Sequence, residues 1–265
     1  EKSELPKITR SKPPADPPGA SFGRNSDGTS NGIAHETAAQ IEAVMPTLKD
    51  AVPRPLESAA RWFQYMAGFG ITSTSEMTYS TKMLKPYEAL TTRPDSPLRI
   101  SLYHMAIDSD AGVTVESPDP SRLRKQGIKL WADGSPWVGS IASSFPYLDT
   151  PAVQKAQIPL GPGGDTMMNY TRVELDTLLA KYAPKGWQMS FHVNGDVGLD
   201  IVLDAYEEAL INNKLMGTDH RWRVEHCGGC RGDQFQRAVD MGVTISLGPF
   251  QFIYWGDLLD GTMFP

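Results

Sequence analysis

Residues 187–210, WQMSFHVNGDVGLDIVLDAYEEAL, and residues 219–227, DHRWRVEHC, decide the fold. In each stretch an apolar run of strand length ends in a histidine, His192 in the first and His226 in the second. Between them, residues 199–211 have the apolar spacing of an amphipathic helix. A strand, a helix and a second strand in this order predict a parallel unit that brings both histidines to one rim of a βα barrel.

The same alternation of strands and helices runs through most of the chain. Strands are expected in residues 71–76, 98–105, 127–134, 187–193, 222–226 and 243–248. Helices are expected in residues 36–52, 55–70, 83–90, around 120–126, and in 171–183, 199–211 and 233–242. This order predicts the α/β class, with a mainly parallel sheet and helices outside it, as in a (β/α)8 TIM-type barrel.

Composition separates two regions. Residues 1–50 contain a Pro-, Gly- and Ser-rich lead-in, which we expect to be irregular as far as about residue 33, and then the first helix. Residues 51–265 are expected to form the barrel part of the chain. The long connection 135–168 follows a predicted strand, where barrel loops line the working face, so it is expected to shape a substrate pocket.

Charge and hydropathy restrict the partners. The net charge of -6 comes from interspersed acids and bases, which argues against nucleic-acid binding and favours a small-molecule substrate. No apolar run is long enough to cross a membrane, and the first residues lack the apolar core of a signal peptide. We therefore expect no membrane partner. The sequence leaves the compartment open, with the cytoplasm favoured over the alternatives. The sequence leaves the oligomeric state open.

Three side chains are candidate metal ligands. His192 and His226 each end a predicted strand and are followed closely by glycine, which lets the backbone turn at the rim. Neutral imidazole is the commonest protein ligand of zinc-like ions. Lys129 interrupts an otherwise apolar strand, which is unusual for a buried lysine. It either reaches the rim to pair with Asp133 or carries a carbamate whose oxygens bind metal. The other histidines, His35, His104 and His220, are expected to be structural.

Other polar and aromatic residues are candidates for substrate or ligand contacts. Asp133 and Asp196 follow strand ends and are expected either to orient the imidazoles or to contact substrate; for Asp196, capping of the next helix is an equal alternative. Trp131 is expected to be packed or to shape an apolar substrate slot. Tyr254 and Trp255 are expected to form a substrate wall, a lid or part of the core.

Two cysteines, Cys227 and Cys230, form the sequence CGGC. This spacing is compatible with a redox pair, half a zinc site or two unreactive thiols. A complete cysteine zinc site needs more thiols than the chain has, so unreactive thiols are the expectation.

The strings GIKLWADGS, FHVNGDVGLDIVLDAYEEAL, DHRWRVEHC and DQFQRAVDMGVTISLGP together resemble the amidohydrolase superfamily, in the long-form branch that includes N-substituted formamide deformylase. The resemblance runs from about residue 14 to the C-terminus. It implies that Lys129, which family members can carboxylate, His192 and His226 are the metal ligands of the fourth, fifth and sixth barrel strands. It also implies one or two divalent ions, zinc above all, and hydrolysis of an amide-type C–N bond by an activated water.

The chain departs from this family pattern in two places. It contains no His-x-His pair, which the first barrel strand would carry, and no strand that would supply the general-base aspartate of the eighth. The six predicted strands then correspond to the second to seventh, and the catalytic base is expected to lie outside this chain. We expect the chain to be the central part of a longer hydrolase. The alternatives are a catalytically incomplete barrel that acts as a binding or scaffold protein, and a hydrolase of a cyclic amide or an ester.

Overall fold

The computed structural model describes residues 12–17, 20–36, 39–40, 42–44 and 54–265. The strands are β1 (Ser21–Arg24), β2 (Ser30–His35), β3 (Ser73–Tyr79), β4 (Arg99–Met105), β5 (Leu123–Trp131), β6 (Pro146–Tyr147), β7 (Gly161–Pro162), β8 (Gln188–Gly195), β9 (Arg223–Gly229) and β10 (Thr244–Ser246). The α-helices in the described ranges with assigned bounds are α1 (Pro55–Gly68), α2 (Leu84–Thr91), α3 (Pro151–Lys155), α4 (Arg172–Tyr182), α5 (Asp196–Asn212), α6 (Gly232–Asp240) and α7 (Pro249–Leu259). Short 3-10 turns occupy Thr81–Met83, Pro136–Val138, Gly164–Met167 and Ala183–Lys185.

Six strands form the main sheet in the order β3-β4-β5-β8-β9-β10, and every neighbouring pair is parallel. Each of the six predicted strand segments overlaps one of these strands, so the predicted α/β class with a parallel sheet is confirmed. Because the strands are parallel, their carboxyl ends lie along one edge, which is where ligands bind in parallel sheets. The pairs β1-β2 and β6-β7 are separate antiparallel sheets.

One face of the main sheet is covered by helices. Apolar side chains of β5, β8 and β9 pack there against α4, α5 and α6 to form the largest buried cluster. Phe191 of β8 is completely buried, and its ring meets that of Tyr206 of α5 at 5.3 Å between centroids. Helix α4 begins with a capping box in which Thr171 and Glu174 satisfy each other's backbone amides. This helical layer therefore fixes the sheet from outside.

The connection between β4 and β5 differs from the prediction. The helix expected around residues 120–126 is wrong, because residues 106–122 run through turns and Leu123 already pairs with Ile100 of β4. The buried side chain of Lys125 points its amine at the carbonyl oxygens of Ala111 and Val113 in the connection. These tertiary contacts outweigh the helical spacing of the apolar residues.

The N-terminal region is partly regular. We expected an irregular lead-in, but β1 and β2 form a hairpin closed by a turn in which the Gly28 amide donates to the Asn25 carbonyl at 2.9 Å. Gly28 has a φ of 81°, a backbone conformation that glycine adopts without strain. Residues 39–40 and 42–44 are helical, as predicted. The remainder of the first predicted helix after residue 44, and the boundary at residues 50 and 51, lie outside the described residues.

Within the described ranges, no helix combines the length and the apolar character that a membrane span requires.

The buried ring of Phe191 allows a test of the helical layer. Phe191→Ala should lower the free energy of unfolding by about 3–5 kcal/mol, because it removes apolar burial and leaves a cavity. Urea unfolding followed by circular dichroism measures this. The matched control is Phe252→Ala, since Phe252 is 84% exposed and its loss should change stability by less than about 0.5 kcal/mol. Equal effects of the two substitutions would contradict the described core.

Candidate metal centre

The face of the main sheet opposite the helices carries polar side chains. Lys129 of β5 pairs with Ser190 of β8, and His192 of β8 pairs with Glu225 of β9. Since side chains alternate along a strand, these four residues share one face, opposite the helices. Ser190 donates to the Glu225 carboxylate at 2.9 Å. The register of three neighbouring strands therefore gathers ionisable groups near the carboxyl edge of the sheet.

Lys129 is buried without a hydrogen-bonding partner. Its side chain is 3% exposed, and its amine finds no hydrogen-bond partner among the described residues. Burial lowers the pKa of Lys129 to about 7, while the nearby Glu225 carboxylate acts in the opposite direction. A large share of the amine is therefore neutral near pH 7. The Trp131 ring lies 5.3 Å from the amine.

His192 is held in one orientation by its neighbours. Its Nε2 lies 2.8 Å from the Gly134 carbonyl oxygen and 3.1 Å from the Asn194 side-chain nitrogen. The carbonyl oxygen only accepts and the Asn194 NH2 group only donates, so the two contacts favour opposite tautomers. The shorter contact, with the carbonyl, assigns the proton to Nε2 and leaves the lone pair on Nδ1. Burial, then the charges of Lys129 and His226, lower the pKa of His192 to about 3. The ring is therefore neutral at physiological pH, as a metal ligand must be.

His226 reaches the same place through a bent backbone. The strand register pairs it with Val193, whose side chain lies in the core under the helices. His226 has a φ of 78° and Cys227 a φ of 53°, and this turn interrupts the alternation of the strand. The ring centroids of His192 and His226 lie 4.6 Å apart at 65°. Burial, then the charge of Lys129, lower the pKa of His226.

Asp133 anchors the rim between β5 and β8. Its Oδ1 accepts from the Asn194 amide at 2.9 Å, and its Oδ2 accepts from the amides of Gly195 at 2.7 Å and Ala142 at 3.1 Å. Burial raises the pKa of Asp133 to about 7 against these hydrogen bonds. Its Oδ1 also lies 4.0 Å from the Nε2 of His192. The carboxylate thus fixes the backbone around His192.

Asp196 links three segments of the rim. It is the first residue of α5, and its carboxylate accepts from the Ser144 amide at 2.8 Å, the Ser144 hydroxyl at 2.6 Å and the Arg231 guanidinium at 3.0 Å. Burial works against ionisation, but these hydrogen bonds hold the pKa of Asp196 below its usual range. Its acidic charge in the first turn also suits the helix dipole. The side chain therefore lies in the first turn of the helix without capping it through a hydrogen bond, and its partners are Ser144 and Arg231 and not an imidazole.

The aromatic candidates lie in different surroundings. Trp131 is half-buried at the end of β5. Trp255 of α7 packs on Trp137 of the connection after β5, with ring centroids 4.5 Å apart. Tyr254 is 77% exposed. Helix α7 is thereby attached to the long connection, whereas Tyr254 faces solvent.

His220 and the two cysteines have environments that agree with the expected structural role of the histidine and with unreactive thiols. His220 accepts from the Trp222 amide at 3.0 Å and donates to the Met241 carbonyl at 2.9 Å. Cys227 and Cys230 are free thiols, and a hydrogen bond with Cys227, followed by burial, raises the pKa of Cys230. A raised pKa makes a thiol less reactive. His104 has a different environment, described below.

Two carboxylates near the centre were missed in the sequence. Glu225 carries the signal that singled out Lys129, a charge in a buried strand, and it forms an ion pair with Arg223. Glu36 gave no such signal. Its carboxylate accepts from the Ser135 amide at 2.9 Å, next to the Gly134 carbonyl that binds His192.

The donors fit a divalent metal ion. Two neutral imidazoles face each other, and the Lys129 amine, which shifts the pKa of both, is buried beside them without a partner among the described residues. Nitrogen donors of this kind suit zinc-like ions.

Comparisons with known proteins agree with this arrangement. A model of the amidohydrolase family matches residues 4–262. The N-substituted formamide deformylase of Arthrobacter pascens is 29% identical over 91 residues, which cover 34% of this chain and 16% of that protein. Amidohydrolase YtcJ of Bacillus subtilis (strain 168) is 23% identical over 248 residues, covering 91% of this chain and 43% of that protein.

Solved structures show the same fold. A metal-dependent hydrolase from Pyrococcus furiosus superposes with a TM-score of 0.62 at 22% identity, over 98% of this chain and 50% of that one. One from Pyrococcus horikoshii OT3 gives 0.61 at 22% identity, over 88% of this chain and 46% of that one. The sheet is thus curled as in part of a barrel, and the chain spans half or less of the relatives it matches. With the family model covering nearly the whole chain, the resemblance in the sequence is confirmed, and the chain belongs to the amidohydrolase family.

Proposed function

We propose that this chain contributes Lys129, His192 and His226 to the metal centre of a hydrolase that cleaves amide-type C–N bonds. The observation that carries the proposal is the buried Lys129 amine beside two imidazoles that are neutral at physiological pH. Burying a lysine amine without a partner costs free energy, and a functional role for the amine accounts for that cost. The family supports hydrolysis, and metal-dependent relatives support a divalent ion.

The residues have separate roles in this proposal. His192 binds the ion through Nδ1, because Nε2 is occupied by the Gly134 carbonyl. His226 binds from the neighbouring strand. The neutral Lys129 amine attacks carbon dioxide, so that an N–C bond forms, one proton is released and the resulting carbamate offers anionic oxygens. A divalent ion bound there, zinc in our proposal, supplies a Lewis acid and lowers the pKa of water.

The rim residues position substrate and ligands. Asp133 holds the backbone on either side of His192, and Asp196 ties the long connection to the segment after β9. Trp131, with Trp255 and Tyr254 of α7, is proposed to form the apolar side of the substrate site. We assign the six strands of the main sheet to the second to seventh strands of the barrel, so in this proposal the general base is not among the residues of this chain.

The bond class follows from one relative. The A. pascens protein is named for the deformylation of N-substituted formamides, and we extend an amide-type substrate to this chain from that name and the family. Assaying the complete enzyme against N-substituted formamides, lactams and carboxylic esters distinguishes the bond classes. Release of formate from the formamides is expected, whereas turnover of lactams or esters alone would contradict the amide-type assignment. A folded complete protein that binds no metal and hydrolyses none of them would instead support a binding or scaffold role.

Metal content tests the three ligands. Lys129→Ala, His192→Ala and His226→Ala should each lower the zinc bound per chain, measured by mass spectrometry of the metal after desalting, because each removes a donor from one centre. Lys155→Ala, at an exposed lysine, and His220→Gln, in the segment before β9, are the matched controls and should retain the metal. Unchanged zinc in all three ligand variants would refute the assignment.

Asp133→Asn tests the anchoring of the rim. Both carboxylate oxygens accept backbone amides, so the asparagine NH2 group must face a donor. We expect the free energy of unfolding to fall by about 1–3 kcal/mol, the cost of a buried unsatisfied group. Asp257→Asn at an exposed position is the control and should have little effect. Equal denaturation midpoints for both variants would show that Asp133 does not hold the rim.

A further inference from the structure

A second group of metal-type ligands lies at the carboxyl end of β4. The imidazole of His104 lies 3.1 Å from Asp108 Oδ2 and 3.4 Å from Asp110 Oδ1, both measured from Nε2. His104 pairs with Ile128, which packs in the core under the helices, whereas the next residue along pairs with Lys129. This group is therefore on the opposite face of the sheet from Lys129, and it is separate from the centre described above.

The spacing of the donor atoms suits one cation. One atom from each of the three residues lies within 4.8 Å of the others, the only such group of histidine, cysteine and acidic residues in the described ranges. Ligands bound at about 2.1 Å lie roughly 3.0–3.4 Å apart at angles between octahedral and tetrahedral. The two distances from His104 Nε2 fall in this range. Asp108 and Asp110 remain partly exposed, so an ion has access from solvent.

Tyr79 gives a second, independent observation. Its side chain is fully buried, and its hydroxyl has no hydrogen-bond partner among the described residues. The ring stands edge-on to His104 with centroids 5.0 Å apart. Burial raises the pKa of Tyr79, the Thr81 hydroxyl lowers it and the Asp110 carboxylate raises it, so the phenol lies beside the group. A hydrated cation would give this hydroxyl a partner, as buried polar groups require.

A hydrogen bond from His104 to the two carboxylates, without an ion, would explain fewer of these observations. If the Nε2 proton were shared between the two carboxylates, the His104 Nδ1 and the Tyr79 hydroxyl would both stay unpaired among the described residues. The two acids would also face each other, with the charge of Lys125 acting on Asp110. The Lys125 amine donates to the carbonyls of Ala111 and Val113, so its charge offsets the acids only in part.

We propose that His104, Asp108 and Asp110 form a second divalent-cation site, suited to zinc or manganese, which fastens the connection between β4 and β5. One imidazole with two carboxylates matches these ions better than calcium or magnesium, which prefer oxygen alone. Residues 106–122 lack a helix, so a bound ion at Asp108 and Asp110 would add to the contacts that Ala111 makes with the core and with the Lys125 amine. The Thr81 hydroxyl, bound to Asp110, joins the site to the segment after β3.

Zinc content separates this site from the first. The chain carrying His192→Ala and His226→Ala together, equilibrated with buffered zinc and desalted, is expected to retain one equivalent. Adding Asp108→Asn or Asp110→Asn should remove it, while adding Glu116→Gln, an exposed acid of the same connection, should not. Equal zinc content in the Asp108→Asn and Glu116→Gln chains would overturn the proposal.

A second measurement tests the site even if the chain with His192→Ala and His226→Ala does not fold. In the otherwise unsubstituted chain, Asp108→Asn should lower bound zinc by one equivalent relative to Glu116→Gln, and zinc should shift the imidazole NMR signals assigned through His104→Gln. His104 signals that do not move on addition of zinc would also refute the site. If the unsubstituted chain bound one equivalent of zinc, and this equivalent were lost with Asp108→Asn but kept with His192→Ala and His226→Ala, the second site would be supported and the proposed hydrolase centre refuted.

Discussion

The parallel register of β5, β8 and β9 is the constraint on which the rest of the structure depends. It places Lys129, His192 and Glu225 on one face, and the Asp133 carboxylate then holds the rim by accepting three backbone amides. A slip by one residue would send the polar side chains into the helical layer. The apolar packing on the other face, around Phe191, therefore protects the geometry of the centre as well as the stability of the fold.

Burial has a direct chemical consequence at this centre. Lowering the pKa of Lys129 from 10.5 to about 7 corresponds to roughly 5 kcal/mol against the charged amine, at 1.36 kcal/mol for each pH unit. The same burial keeps His192 neutral. Burial of Lys129 and His192 therefore lowers the stability of the fold but keeps both side chains neutral, with free lone pairs. Metal ligands must be in this form.

The two faces of the sheet present different metal-type donors. On the polar face the donors come from three different strands, so only the assembled sheet brings them together. On the helical face, His104 lies one residue before the end of β4 and its two acidic neighbours follow within six residues, in a connection without a helix. A catalytic centre gains from the first arrangement, because rigid strands hold the ligands, whereas the second suits the fastening of a loop.

The sequence by itself determined the six strands, most of the helices and the two strand-end histidines, because apolar periodicity and glycine positions are local signals. It also singled out Lys129, since a charge inside an apolar strand is a local anomaly. Tertiary structure decided the rest. It replaced the helix expected around residues 120–126 with a strand, through pairing with β4 and the contacts of Lys125. It turned the His226 ring by a left-handed backbone, placed Glu225 beside Lys129 and surrounded His104 with acids, because these depend on contacts between segments that no single stretch of sequence contains.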